Sequence, residues 1–202
     1  MLLITIGINI VIFWTIFSNL AVMLLIAMYK KLRQPRNFLI FSLAVTDFLV
    51  GVTVMPVMIF VEPKIAGKWN YGIIACDIYW IIKITVVHVS IYHLVMIALD
   101  CYLSLRNAFY AQQRTYRKII LMVLVAWISG VMPSLLLLSY KDADYSRRIL
   151  EQKWCFFSFD RLFIWVTSGF GFWFPFCLIC TLYWKIYKVS QKDTREYLIH
   201  FY

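Results

Sequence analysis

The chain has no soluble basic face, although its formal net charge is +10; a nucleic-acid partner would need one. It has no nucleophile–base pair and no metal-ligand spacing on a shared face, which speaks against an enzyme. It has no repeat between its halves, which speaks against a transporter of inverted repeats and broken helices. Charged residues are few, 15% of the chain. Apolar residues take their place: the hydrophobic share is 63%, against about half in a soluble domain.

Those residues fall into five runs, about Leu2–Tyr29, Phe38–Phe60, Ile78–Leu103, Ile119–Leu138 and Leu162–Tyr187. A helix crosses the hydrocarbon core with about 20 mainly apolar residues. Only helices and closed barrels satisfy the backbone in lipid, and these runs are too long and too uniformly apolar for barrel strands. The sequence therefore predicts an all-α, polytopic transmembrane helix bundle embedded in the lipid bilayer. The first run has no basic residue ahead of its apolar core, and that core exceeds a secretory signal's. Lys30 and Lys31 follow it as a stop, so a retained first span is expected.

Lys and Arg favour cytoplasmic loops. With the first terminus outside, one face collects Lys30, Lys31, Arg33, Arg36, Arg106, Arg114, Arg117, Lys118, Lys185, Lys188, Lys192 and Arg195. The other holds Lys64, Lys68, Lys141, Arg147, Arg148, Lys153 and Arg161, largely cancelled by Glu62, Asp77, Asp142, Asp144, Glu151 and Asp160. The expected protein is multi-pass, in the plasma membrane, with its N-terminus extracellular and its C-terminus cytoplasmic. Cys76 and Cys155 both fall outside, where disulfides persist. A bridge would tie the second outer loop to the top of span three; two free thiols are the alternative.

Span three carries Lys83, Thr85, His88, Ser90, His93 and Asp100 among apolar residues. An ionisable group near the centre of a span costs at least about 2.5–3.5 kcal/mol and usually marks function. Lys83 either snorkels to the outer interface or faces an outer cavity suited to an acidic group. His88 and His93 are off the one-face helical spacing, so each is expected to be hydrogen-bonded within the bundle. Asp47 sits mid-span with no basic neighbour one turn away, and Asn19 and Ser90 are its candidate partners. Pro175 removes a backbone hydrogen bond from span five. Trp127, beside Ala126 and Gly130, reads as a packing surface.

In order and spacing these residues resemble the class A, rhodopsin-like, G-protein-coupled receptors, over the first five of seven helices. Asn19 stands in Ser-Asn-Leu-Ala-Val, Asp47 in Leu-Ala-Val-Thr-Asp, and Trp69 in Gly67-Lys68-Trp69-Asn70-Tyr71-Gly72. Asp100-Cys101-Tyr102 stands where the family has Asp-Arg-Tyr, and Trp127, Pro175 and Tyr183 match residues of spans four and five. Within the family the chain resembles the aminergic branch, with muscarinic receptors nearest and histamine receptors next. Cys76-Asp77-Ile78-Tyr79-Trp80, Tyr102 to Arg106, and Cys180 to Tyr187 carry that resemblance.

The resemblance implies a Cys76–Cys155 disulfide and a ligand pocket at Lys83, Ile84, Val87, His88, Thr167 and Gly171. It implies a G-protein face at Asp100, Cys101, Tyr102 and Tyr183, and part of a sodium site at Asp47 and Ser90. No cofactor is implied. The family's amine-binding aspartate is replaced by Lys83, so a small extracellular ligand other than a simple monoamine is expected. Cys101 lacks the charge and donor fork of the family arginine. No sixth or seventh apolar run follows Lys188. The expectation is a single truncated receptor domain over 1–202, coupling to a heterotrimeric G protein when completed by spans six and seven. The alternative is a non-signalling five-span protein that associates with other receptors.

Overall fold

The computed structural model describes residues 2–61, 68–138, 141, 143–156 and 161–201. Glu62, Lys64, Gly67, Asp142 and Asp160 lie outside them. Among the described residues, five helices are long and apolar enough to cross a membrane. Span one is Leu2–Met28, followed by a 3-10 turn at Lys30–Leu32. Span two starts at Pro35, where a missing N–H costs nothing in the first turn. It runs through Leu49, a π turn at Val50–Val54 and a last segment Met55–Val61. Span three is Gly72–Arg106 and span four Tyr116–Leu138. Span five comprises Arg161–Ser168, a π turn at Gly169–Trp173, and Phe174–Phe201.

The helices of spans two, three, four and five outrun the apolar stretches that announce them. Hydropathy marks the part that sits in hydrocarbon, whereas a helix continues into polar flanks until something stops it. Asn107 does this for span three: its side chain accepts from the backbone N–H of Phe109 and Tyr110, the chemistry of a strong N-cap. A new short helix, Ala108–Gln112, starts there. In span five Pro175 offers no N–H to the carbonyl four residues back and crowds it. The chain responds with the wide turn at Gly169–Trp173, a π turn of the kind found within helices at functional positions.

Span three is the axis of the bundle, packing on spans two, four and five, while span one packs on span two. Gly130 of span four lets the backbones meet: a Cβ there would lie 2.6 Å from the amide nitrogen of Val89. Such small residues are what close helix crossings in lipid require. One core cluster lies at the disulfide end, with Trp69, Tyr79, Trp80, Leu137, Tyr145 and Ile149. A second lies toward the other end, with Leu39, Ile119 and Val123. Outward faces are apolar, Phe13 and Trp14 among them, as lipid contact demands.

Candidate functional site

Cys76 and Cys155 are joined, with a Cα–Cα distance of 5.6 Å and 79 residues between them. Two further ties hold this end. The backbone N–H of Trp69 donates to the Lys153 carbonyl at 2.7 Å. Asp77 accepts from Lys141 at 2.6 Å and from the Tyr145 hydroxyl at 2.5 Å. Burial first, then the hydrogen bond and charge of Asp77, raise the Tyr145 hydroxyl well above the usual phenol range, against an opposing pull from Arg148. The short helix Tyr145–Leu150 is thereby fixed over the top of span three.

Beneath the disulfide, spans three and five enclose a cleft of about 390 Å³. Ile84, Val87, His88, Thr167 and Gly171 of the expected pocket line it, with Trp80 at the disulfide side. His88 donates from Nδ1 to the Ile84 carbonyl at 2.7 Å, since a carbonyl only accepts. Its Nε2 is thereby turned toward span five, where a Cβ on Gly171 would come within 2.0 Å of it. Gly171 is what lets the imidazole reach across. Lys83 does not line the cleft. A helical side chain points back toward its own N-terminus, and the Lys83 ammonium lies 4.3 Å from the Trp80 ring centroid and 5.7 Å from that of Tyr79, within cation–π range.

A polar seam lies deeper. Ser90 donates to Asp47, and the Ser90 and Thr46 hydroxyls are 3.2 Å apart. Of the two partners expected for Asp47, Ser90 is adjacent, whereas Asn19 donates to the Thr15 carbonyl of its own helix at 2.9 Å. His93, fully buried, donates from Nδ1 to the Val89 carbonyl at 2.8 Å and meets the Ser42 hydroxyl through Nε2 at 2.8 Å. Trp127 also donates to Ser42, at 3.3 Å. Ser42 therefore stitches spans two, three and four together.

At the basic end Asp100 is 2% exposed and pairs with Arg114 at 3.1 Å. Tyr110 donates to the same carboxylate at 3.1 Å, and Arg114 also donates to Ser104. Burial first, then the charge and hydrogen bond of Asp100, push the Tyr110 hydroxyl up, while Arg114 pulls it down. Cys101 and Tyr183 are exposed, and Tyr102 accepts from Arg106 at 3.2 Å. Neither Arg114 nor Tyr110 stands out as a partner of Asp100 in the sequence. Asn107 is the signal that points to them, because an N-cap there turns the chain back under span three.

Residues 18–196 match the family described as 7 transmembrane receptor (rhodopsin family). The chain belongs to that receptor family. Its relatives include the 5-hydroxytryptamine receptor 1E of Homo sapiens, 36% identical over 88% of this chain and 48% of that protein. The 5-hydroxytryptamine receptor 1F of Homo sapiens is 38% identical over 86% of this chain and 46% of its own length. The 5-hydroxytryptamine receptor 2A of Drosophila melanogaster is 35% identical over 88% of this chain and 21% of its own. The chain spans about half the length of the human relatives. The aminergic branch fits. The muscarinic expectation is corrected: it rested on the short stretches at Cys76–Trp80 and Cys180–Tyr187, whereas identity over 86–88% of the chain points to 5-hydroxytryptamine receptors. The family is one of membrane receptors, and its multi-pass fold accords with the five apolar helices.

Proposed function

We propose that this chain supplies the first five spans of a cell-surface receptor of the amine-receptor branch. The disulfide end is extracellular and the basic end cytoplasmic, as the distribution of Lys and Arg favours. The observation that carries the ligand reading is the cleft beneath the disulfide. It is walled by Ile84, Val87 and Gly171 and offers the polar groups of His88 and Thr167. Among the described residues no carboxylate lines it. The Lys83 ammonium stacks on Trp80, itself a wall of the cleft, so the group standing in the place of the family's amine-binding carboxylate is a cation. Like charges repel in a low-dielectric site. The ligand is a small neutral or anionic molecule rather than a simple monoamine such as the one the relatives are named for.

Asp47 and Ser90 offer two oxygens to a sodium ion, a hard cation that takes oxygen ligands, and the resemblance takes the rest from span seven. Asp100, Cys101, Tyr102 and Tyr183 form the G-protein face. Arg114 supplies from the loop the counter-charge that the family places next to Asp100.

The test is Lys83→Asp in a chimera completed with spans six and seven of a 5-hydroxytryptamine receptor. Gain of amine binding supports the reading; unchanged binding, with Lys83 labelled from the lipid phase, counts against it. A second reading is a five-span protein that does not signal and binds full-length receptors. It rests on the exposed apolar faces, with Phe13, Trp14 and Phe17 on span one and Phe172, Trp173 and Phe176 on span five, which lipid and a partner receptor would cover equally well. Co-purification of the chain with a full-length receptor separates the two.

A further inference from the structure

We infer that the outer flank of spans two and three, below Trp69, holds a binding site for a neutral aryl ketone, a small molecule that is apolar except for one hydrogen-bond acceptor. A groove of about 490 Å³ lies there, within the range of ligand clefts. It shares no lining residue with the cleft between spans three and five. Val52 of span two and Ile78 and Ile82 of span three wall it. Val52 and Ile78 are exposed, so the groove opens toward the bilayer. Val52 and Thr53 belong to the π turn at Val50–Val54, a wide turn of the kind that marks functional positions. Trp69 and Tyr71 form the roof, edge to face at 5.0 Å. The roof is set before any ligand arrives, because the Trp69 indole donates to the Gly72 carbonyl at 2.8 Å.

One polar group selects the occupant. Tyr79 lines the groove and is 6% exposed. Its hydroxyl is buried and has no hydrogen-bond partner among the described residues. Buried hydroxyls are nearly always bonded, and leaving one unpaired is costly. The neighbouring donors are spent, Trp69 on Gly72 and Thr53 on the Leu49 carbonyl at 2.6 Å. What the groove lacks is therefore an acceptor. Among the described residues no Lys, Arg, His, Asp or Glu lines it, so a charged ligand would lose its hydration with no counter-charge. Water fits poorly: among apolar walls it would have Tyr79 and Thr53 at most, the low end of the two to four partners that buried water needs. A carbonyl on an aromatic frame meets both demands, with the oxygen at Tyr79 and the rings under Trp69 and Tyr71, where offset and edge-to-face contacts are favourable. The site stands apart from the cleft, and the inference does not depend on what the cleft binds.

The experiment uses the full chain in nanodiscs with benzophenone as the probe, because light attaches it to the C–H bonds it rests against. Fluorenone and fluorene share a flat frame and differ in the carbonyl, and they compete at equal concentration in the bilayer. Label is expected within residues 50–57 or 69–82. Fluorenone should displace it about 2- to 12-fold better than fluorene, the net worth of one hydrogen bond. Tyr79→Phe should erase that difference without lowering the unfolding temperature, since the hydroxyl it removes has no partner to lose. A tyrosine that only packs would not tell the two competitors apart. Ala75 also lines the groove, and Ala75→Leu should fill it and lower labelling while Tyr79 stays intact. The Cys76–Cys155 bridge and an unchanged far-UV spectrum report folding of each variant. Label spread evenly over the lipid-facing helices, equal competition by the two compounds on the unaltered chain, or a difference that survives Tyr79→Phe would overturn the proposal.

Discussion

Replacing Arg114 by Gln should destabilise the chain more than any other single change at the basic end. Asp100 is 2% exposed and Arg114 15%, so neither charge is well solvated. At the 3.1 Å separation, an effective dielectric of about 20 gives roughly 5 kcal/mol of attraction. Desolvation offsets part of that. Removing one partner of a buried pair costs about 3–5 kcal/mol because the other charge is left uncompensated. Arg114→Gln is expected near the lower bound, about 3 kcal/mol, since Tyr110 still donates to Asp100. Asp100→Asn should cost less, because Arg114 can turn its head to solvent. The double variant restores a neutral pair and should be less destabilised than the sum of the singles by about 2 kcal/mol, within the range of contacting residues. Equilibrium SDS unfolding in mixed micelles measures all three variants. Additivity within about 0.5 kcal/mol would refute the claim that the loop arginine neutralises Asp100.

Other consequences follow from single contacts. Gly130→Leu should force spans three and four apart at Val89 and cost at least about 1–3 kcal/mol, read by the same unfolding assay. Gly171→Ala should displace the His88 ring from span five and close part of the cleft, seen as a shift of the His88 imidazole resonance with little change in helicity. Removing Cys76–Cys155 frees a 79-residue separation and should lower stability by up to about 4.5 kcal/mol, the chain-entropy bound; a membrane-confined unfolded chain keeps the loss below that figure. The raised hydroxyl of Tyr145 contributes stability that is complete below the unfolded tyrosine value of about 10. That stability is lost as pH rises beyond it, because the unfolded chain releases the proton first. Tyr145→Phe should therefore flatten the alkaline limb of the stability curve, and an unchanged limb would show that the Asp77 contact carries no such weight.

Fold class was legible because hydropathy and charge are properties of contiguous residues. Each run from Leu2–Tyr29 to Leu162–Tyr187 needs no knowledge of its neighbours to be read as a span, and the all-helical bundle with five candidate spans follows. The cysteine pair was legible at one remove, from topology and from the resemblance, and the bridge is present. Partner choice within the bundle was less legible. Ser90 and Asn19 were equal candidates for Asp47, and only the rotation of span three against span two sets Ser90 beside it while Asn19 turns to Thr15. Ser42 carried no signal in the sequence, yet it joins His93 to Trp127.

The linear order of residues was enough to say that the chain lives in lipid, where its five helices begin and end to within a few turns, and which family it joins. Lipid solvation acts on each segment separately, so a local pattern encodes it. Only the packed bundle decided that His88 reaches Gly171 and that Arg114 comes from a loop to neutralise Asp100. Those contacts depend on helix rotation, on close backbone approach at Gly130, and on a chain reversal capped by Asn107. Each brings together residues whose separation in sequence carries no trace of their distance in space.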